Sequence, residues 1–169
     1  TTVCARMQPL KMSIWRDVLR LSASLQDTGE IQAIDATGMD RVATSRHYAN
    51  RTNYTFQLIK TTALVDCETG LILDIDCSMK QPHDTQVARR LLARNLDKLS
   101  ILVADKGYDW ELLRYKLRAE GVKPLIKRIE YNWKRIAENA LIDDTTYHQR
   151  SNIEATFFAL RRKYGETVQ

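Results

Sequence analysis

Three acids set far apart in the chain carry the first indication of chemistry. Asp35 closes the apolar run in "AIDATG", Asp105 closes the one in "ILVADKGYD", and Glu154 lies inside "HQRSNIEATFFALRRKYG". The first two follow strand-like residues and precede a turn signal, whereas the third sits in a helical pattern. If the two strands are neighbours, both carboxylates reach one edge of a sheet, and a helix laid over that edge adds the third. Clustered carboxylates repel one another unless a cation stands between them. Hard ions such as Mg²⁺ or Mn²⁺ take oxygen ligands, and a pair about 3.5–4 Å apart stabilises the attacking and leaving oxygens of an in-line phosphoryl displacement. The chain holds 21 acidic residues, so spacing alone does not select these three. The plain alternatives are turn-starting acids at Asp35 and Asp105 and a solvated helical glutamate at Glu154.

The elements that must position these acids follow from periodicity. Residues 12–25 place Ile14, Trp15, Val18, Leu19, Leu21 and Leu25 near helical spacing, which predicts a short amphipathic helix. Gly29 interrupts it, and residues 31–36 read as a strand that delivers Asp35 into the Thr37-Gly38 turn. Residues 54–66 and 71–79 are rich in β-branched and aromatic side chains around "CETG", an antiparallel hairpin. Asp84 or Thr85 is placed to cap a helix over residues 86–99, with His83 as a neighbour of the cap. A strand over 101–104, a helix over 109–121 closed by Gly121, and a short strand around "VKPLIK" follow, with Pro124 favouring a sheet edge. Residues 128–144 are polar and ambiguous, and a last helix carries Ile153, Phe157 and Leu160 on one face with Gly165 as its stop. Trp15, Trp110 and Trp133 read as core or half-core residues.

Composition sets the frame for these elements. At 169 residues, 44% hydrophobic and 28% charged, the chain fits one domain; at this size folding buries roughly two-thirds of the chain's surface. The net charge of +5 is a modest basic excess, weak evidence by itself for a polyanionic partner. Cys4, Cys67 and Cys77 are odd in number and widely spaced, which suggests neither a disulfide framework nor a zinc knuckle and fits a reducing cytoplasm. No apolar stretch approaches the ~18 residues of a membrane span, and no signal segment opens the chain.

Three blocks resemble the catalytic domain of insertion-sequence transposases of the DDE class. "IDATG" is similar to the first-aspartate block and "VADKGYDWELLRYKLRAEGVKPLI" to the second. "YHQRSNIEATFFALR" matches the Y-x₂-R-x₃-E-x₆-K signature, with Tyr147, Arg150 and Glu154 in place and Arg161 in the lysine position. The resemblance runs from about Ile31 to Tyr164. It implies an α/β, ribonuclease-H-like fold with a mixed central sheet flanked by helices. It implies that Asp35, Asp105 and Glu154 bind Mg²⁺ or Mn²⁺, two ions in all, and that Tyr147, Arg150 and Arg161 contact DNA phosphates. Arg150, Glu154 and Arg161 share roughly one face of a helix, since offsets of four and seven do.

The implied enzyme is a polynucleotidyl transferase. It hydrolyses a phosphodiester at the end of a mobile element and lets the freed 3′-hydroxyl attack a second one, with positioning and charge neutralisation as the protein's part. The implied partner is double-stranded DNA, as element end and as target, with a homodimer in the DNA complex, no membrane, and a cytoplasmic, nucleoid-associated location. Residues 1–30 are expected to be the tail of an upstream DNA-binding region, and residues 31–169 a catalytic domain shortened at its C-terminus. "KRIEYNWKR", including Lys127 and Arg128, and the pair His47-Tyr48 mix basic and aromatic residues as a nucleic-acid surface does; a solvated charged face is the alternative. "RRKYG" either follows the DNA backbone or complements the negative end of its helix.

Rival functions remain at this stage: a catalytically silent DNA-binding remnant or regulator, a ribonuclease-H-like nuclease, and an aspartyl phosphotransferase with Asp35 as nucleophile. The last lacks its usual second acid, because Thr37 stands two residues after Asp35.

Overall fold

The computed structural model describes residues 11–40 and 58–165. Cys4, His47, Tyr48 and the start of the expected strand at 54–57 lie outside the described residues. The element order is α1 (Met12–Ala23), β1 (Ile31–Asp40), β2 (Leu58–Asp66), β3 (Ile72–Ser78), α2 (Asp84–Ala93), β4 (Ile101–Ala104), α3 (Glu111–Ala119), β5 (Lys123–Ile126), α4 (Trp133–Ala140), α5 (Asp144–His148) and α6 (Ser151–Tyr164). Single 3₁₀ turns at Leu96–Lys98 and Lys106–Tyr108 follow α2 and β4. The strands form one mixed sheet in the order β3-β2-β1-β4-β5. β1 to β3 are an antiparallel meander, and β4 and β5 join parallel to β1. This is the α/β, ribonuclease-H-like arrangement, with helices on both faces of the sheet.

Alternation along each strand divides the core in two, because successive side chains point to opposite faces. Ile34, Leu64, Leu102, Ala104 and Ile126 meet Leu91 and Leu92 of α2 and Leu113 and Leu117 of α3 on one face, and Ala23 of α1 enters the same core. Ala33, Ala63, Val65, Val103 and Leu125 meet Ile153 and Phe157 of α6 on the other. Each fully buried Leu or Ile contributes about 1.5–3 kcal/mol, so both helix layers are held chiefly by apolar burial. β5 is an edge strand, which accommodates Pro124 without a lost ladder bond at the sheet centre.

Buried acids fix the connections. Asp66 accepts from the backbone N–H of Gly29 at 2.7 Å and of Thr69 at 2.8 Å, tying the entry of β1 to the β2–β3 turn. A Cβ at Gly29 would lie 2.3 Å from the Glu68 carboxyl carbon, so glycine permits this close approach. Asp74 on β3 accepts from Arg94 Nε at 3.0 Å and Asn95 Nδ2 at 2.7 Å at the end of α2.

Several sequence expectations are corrected here. β1 does not stop at Asp35 but runs to Asp40, because β2 continues to pair it through Thr37↔Thr61 and Gly38↔Lys60. The polar stretch 128–144 contains α4, capped by Asn132 on the Arg135 N–H at 3.0 Å. Its apolar residues face outward: Trp133 is 80% exposed, not core, and the helix is instead anchored by Asn139 and Arg135. The last expected helix, read from His148, begins at Ser151 as α6, with the short α5 before it, and His83 itself, not Asp84 or Thr85, caps α2 through its ring nitrogen.

Candidate active site

β4 pairs with β1 only as far as Ala104 opposite Ile34. The next residues on these adjacent parallel strands are Asp35 and Asp105, so the two acids leave the sheet at one level, on strands about 4.8 Å apart. They follow the alternation of Ala33 and Val103, whose side chains pack against α6. One oxygen of each acid accepts from the following backbone N–H, Ala36 at 2.8 Å and Lys106 at 2.6 Å.

α6 supplies the remaining groups. Ile153 and Phe157 lock it to the sheet, and Arg150 and Glu154 lie on its flank toward β1. Arg150 stands just before α6 with helical backbone angles, so the four-residue relation to Glu154 survives the break after α5. Its guanidinium Nη1 lies 3.3 Å from Glu154 Oε1 and 3.9 Å from Asp35 Oδ2. Burial pushes the Asp35 carboxyl above the usual carboxylate range; the Ala36 N–H and Arg150 partly offset this, while the charges of Asp105 and Glu154 add to it. Asp105 and Glu154 are therefore both near enough for their charges to be felt at Asp35.

Among the described residues, no three His, Cys, Asp or Glu side chains come close enough together to hold one metal ion. The donor set nevertheless suits a hard divalent cation: oxygen-only ligands, one of them half-buried and disfavoured in its charged form, with like charges that a cation relieves. The Glu154 side chain is 58% exposed and pairs with Arg150, whose guanidinium also faces Asp35. Of the two described cysteines, burial pushes the Cys67 thiol up to about 12 and raises that of Cys77.

The expected DNA-contacting residues separate into two groups. Tyr147 on α5 is half-buried, with Lys127 Nζ 4.6 Å from its ring centroid, and the charges of Arg150 and Asp105 both act on its hydroxyl. Tyr147, Lys127 and Arg150 thus continue the surface that begins at Asp105, and Lys127 also pairs with Asp144 at 3.0 Å. Arg128 and Arg161 are engaged elsewhere. Arg128 bonds Glu111, reaches Glu138 at 2.8 Å and approaches Asp109 at 3.6 Å, so its guanidinium is held in an ion network within the protein. Arg161 donates to the Thr37 hydroxyl and, at 3.1 Å, to the Gly38 carbonyl.

Sequence reasoning did not single out Lys60. Lys60 on β2, opposite Gly38, reaches Asp84 and the Pro82 carbonyl, each at 2.6 Å. With Ala36, Thr37, Gly38, Leu58 and Gln81, Lys60 and Asp84 line an open pocket of about 230 Å³, next to the tip of β1 and on the α2 side of the sheet, across from the face that Asp35 shares with α6. The only signal in the sequence was a charge among the apolar residues of a strand.

Residues 26–168 match the family described as the transposase DDE domain. No curated protein matches the chain. Among solved structures, one similar chain comes from the simian T-cell lymphotropic virus intasome in complex with PP2A regulatory subunit B56 gamma, at 15% identity and a TM-score of 0.48; the match covers 82% of this chain and 41% of that one. Another is the HTLV-2 integrase catalytic core domain in complex with magnesium, in a dimeric form, at 14% identity and a TM-score of 0.38, covering 79% of this chain and 86% of that one.

Proposed function

The chain belongs to the transposase DDE domain family, and from that premise we propose that Asp35, Asp105 and Glu154 hold divalent ions, Mg²⁺ or Mn²⁺, against a phosphodiester of double-stranded DNA. The observation that carries this reading is the register of β1 and β4, which brings Asp35 and Asp105 to one level beneath the helix bearing Glu154. Two such ions would supply an activated water or 3′-hydroxyl and neutralise the leaving oxygen.

The chain's own residues do the rest. Asp35 presents a carboxylate oxygen from β1 and Asp105 one from the residue just after β4, each with its other oxygen accepting from the next backbone N–H. Arg150, balanced between two acids, is placed to receive a phosphate, and Tyr147 with Lys127 extends that contact along the strand. The reaction class is polynucleotidyl transfer, with element ends and target DNA as substrates and a homodimer as the assembly that joins two ends.

Asp105→Asn tests the proposal directly. It removes a ligand charge at a position that makes no ion pair among the described residues, so metal-dependent nicking of a duplex should vanish while the circular dichroism spectrum and salt-sensitive DNA binding persist. Nicking that survives the change would remove Asp105 from the site.

A further inference from the structure

Arg161 occupies the place where the family signature has a lysine, yet its guanidinium points to protein. Both of its hydrogen bonds end on the tip of β1, at the Thr37 hydroxyl and the Gly38 carbonyl. This is the stretch of β1 that β4 is too short to pair, since the parallel ladder ends at Ile34↔Ala104 while the antiparallel one continues to Asp40↔Leu58. Arg161 therefore gives the Gly38 carbonyl a donor that, among the described residues, no strand supplies on that side.

The opposite end of α6 is fastened too. Asn152 Nδ2 donates to the Cys67 carbonyl at 2.8 Å, and Cys67 donates its N–H to Ile31 O at 2.9 Å, at the start of β1. The helix is thus bonded to the tip of β1 at one end and, at the other, to Cys67, which itself pairs with the start of β1, and Glu154 lies between the two bonds. Ile153 and Phe157 press the helix onto the sheet, but apolar contacts resist sliding along a strand only weakly. Directional bonds at the two ends set the register.

We propose that Arg161 is a positioning residue: it pins α6 to the tip of β1 and so fixes the spacing between Asp35 and Glu154, instead of binding a DNA phosphate. Arginine suits this task because one planar nitrogen carries two protons in fixed directions, one for each acceptor. The proposal rests on the reading of Asp35 and Glu154 as metal-holding acids.

A double-mutant cycle on the whole chain tests it. Arg161→Ala and Thr37→Val should each weaken Mn²⁺ binding, measured by calorimetry, with the arginine change costing about 10- to 100-fold as for other residues that orient metal ligands. The double variant should be no weaker than Arg161→Ala alone, since the two residues share one bond, and Arg161→Lys should recover part of the affinity. The salt dependence of DNA binding in EDTA should keep its slope. A slope reduced by about one with unchanged Mn²⁺ affinity, or additive effects in the cycle, would overturn the proposal and return Arg161 to the DNA surface. Asp35→Asn separates the two levels of the argument. If it binds Mn²⁺ as well as the unaltered chain does, the metal reading fails and amide hydrogen exchange decides on Arg161 alone. Faster exchange at residues 35–40 in Arg161→Ala, at unchanged global stability, supports the clamp; unaltered exchange refutes it.

Discussion

Asp105 and Asp109 stand four residues apart in "ADKGYD", and the structure assigns them opposite consequences. Asp109 is 3% exposed and Arg114, its partner at 2.9 Å, is 4% exposed. Asp109 also receives Arg135 Nη1 at 2.7 Å and the Ile129 N–H at 3.0 Å. These bonds join α3, the strand β5 through Arg114 and the Ile126 carbonyl, and α4. Asp109→Ala leaves the Arg114 cation buried without its counter-charge, which costs about 3–5 kcal/mol. That is a large part of the roughly 5–15 kcal/mol that holds an ordinary domain folded. With a urea m-value of about 2 kcal/mol/M, the midpoint should fall by about 2 M.

The pH dependence has a definite sign. Backbone and arginine contacts hold the Asp109 carboxyl below its ordinary range despite its burial. Its contribution is therefore present above the unfolded carboxylate range near ~3.9 and is lost as pH falls through its own lower range. The variant should lack that acid limb of the stability curve. Asp105→Asn, by contrast, should move the urea midpoint by no more than about 0.5 kcal/mol's worth. A small shift for Asp109→Ala, or an equally large one for Asp105→Asn, would refute the division of labour between the two acids.

Further outcomes follow from the same geometry. Burial holds the Asp35 carboxyl above its unfolded range, so its contribution is greatest below that range and declines as pH rises through the folded one; Asp35→Asn should raise Tm at pH 7, where 1 kcal/mol is about 2–4 °C at this size, and abolish any further rise on adding Mg²⁺. A lower Tm in thermal melts would contradict the account of that burial. Arg150→Ala should weaken duplex binding and reduce its salt slope by about one, and an unchanged slope in fluorescence anisotropy would take Arg150 off the DNA surface. Trp133→Ser should change stability by less than about 0.5 kcal/mol, since the ring is 80% exposed; a loss typical of a core residue in urea melts would restore the sequence reading of Trp133.

What the sequence revealed about this site, and what it hid, divides along the range of the interactions involved. Asp35 and Asp105 were legible because each follows an apolar run whose local pattern survives folding, and Pro124 marked an edge strand for a reason internal to the residue. α4 was not legible. Its helical spacing of Trp133, Ile136 and Ala140 faces solvent, and its anchor is a set of polar bonds from Asn139 and Arg135 to residues on other elements. Such bonds leave no periodic trace.

The arginines make the same point more sharply. Arg128, Arg150 and Arg161 carry identical charges in stretches that look equally suited to DNA. Where each guanidinium ends depends on which acids and carbonyls the fold brings within reach, Glu111 and Glu138 for the first, Asp35 and Glu154 for the second, Thr37 and Gly38 for the third. Of the three, Arg150 alone stands between Asp35 and Glu154. The length of β4 decides where Arg161 ends. Were β4 four residues longer, its ladder would run on to Gly38 and supply there the partner that Arg161 now provides.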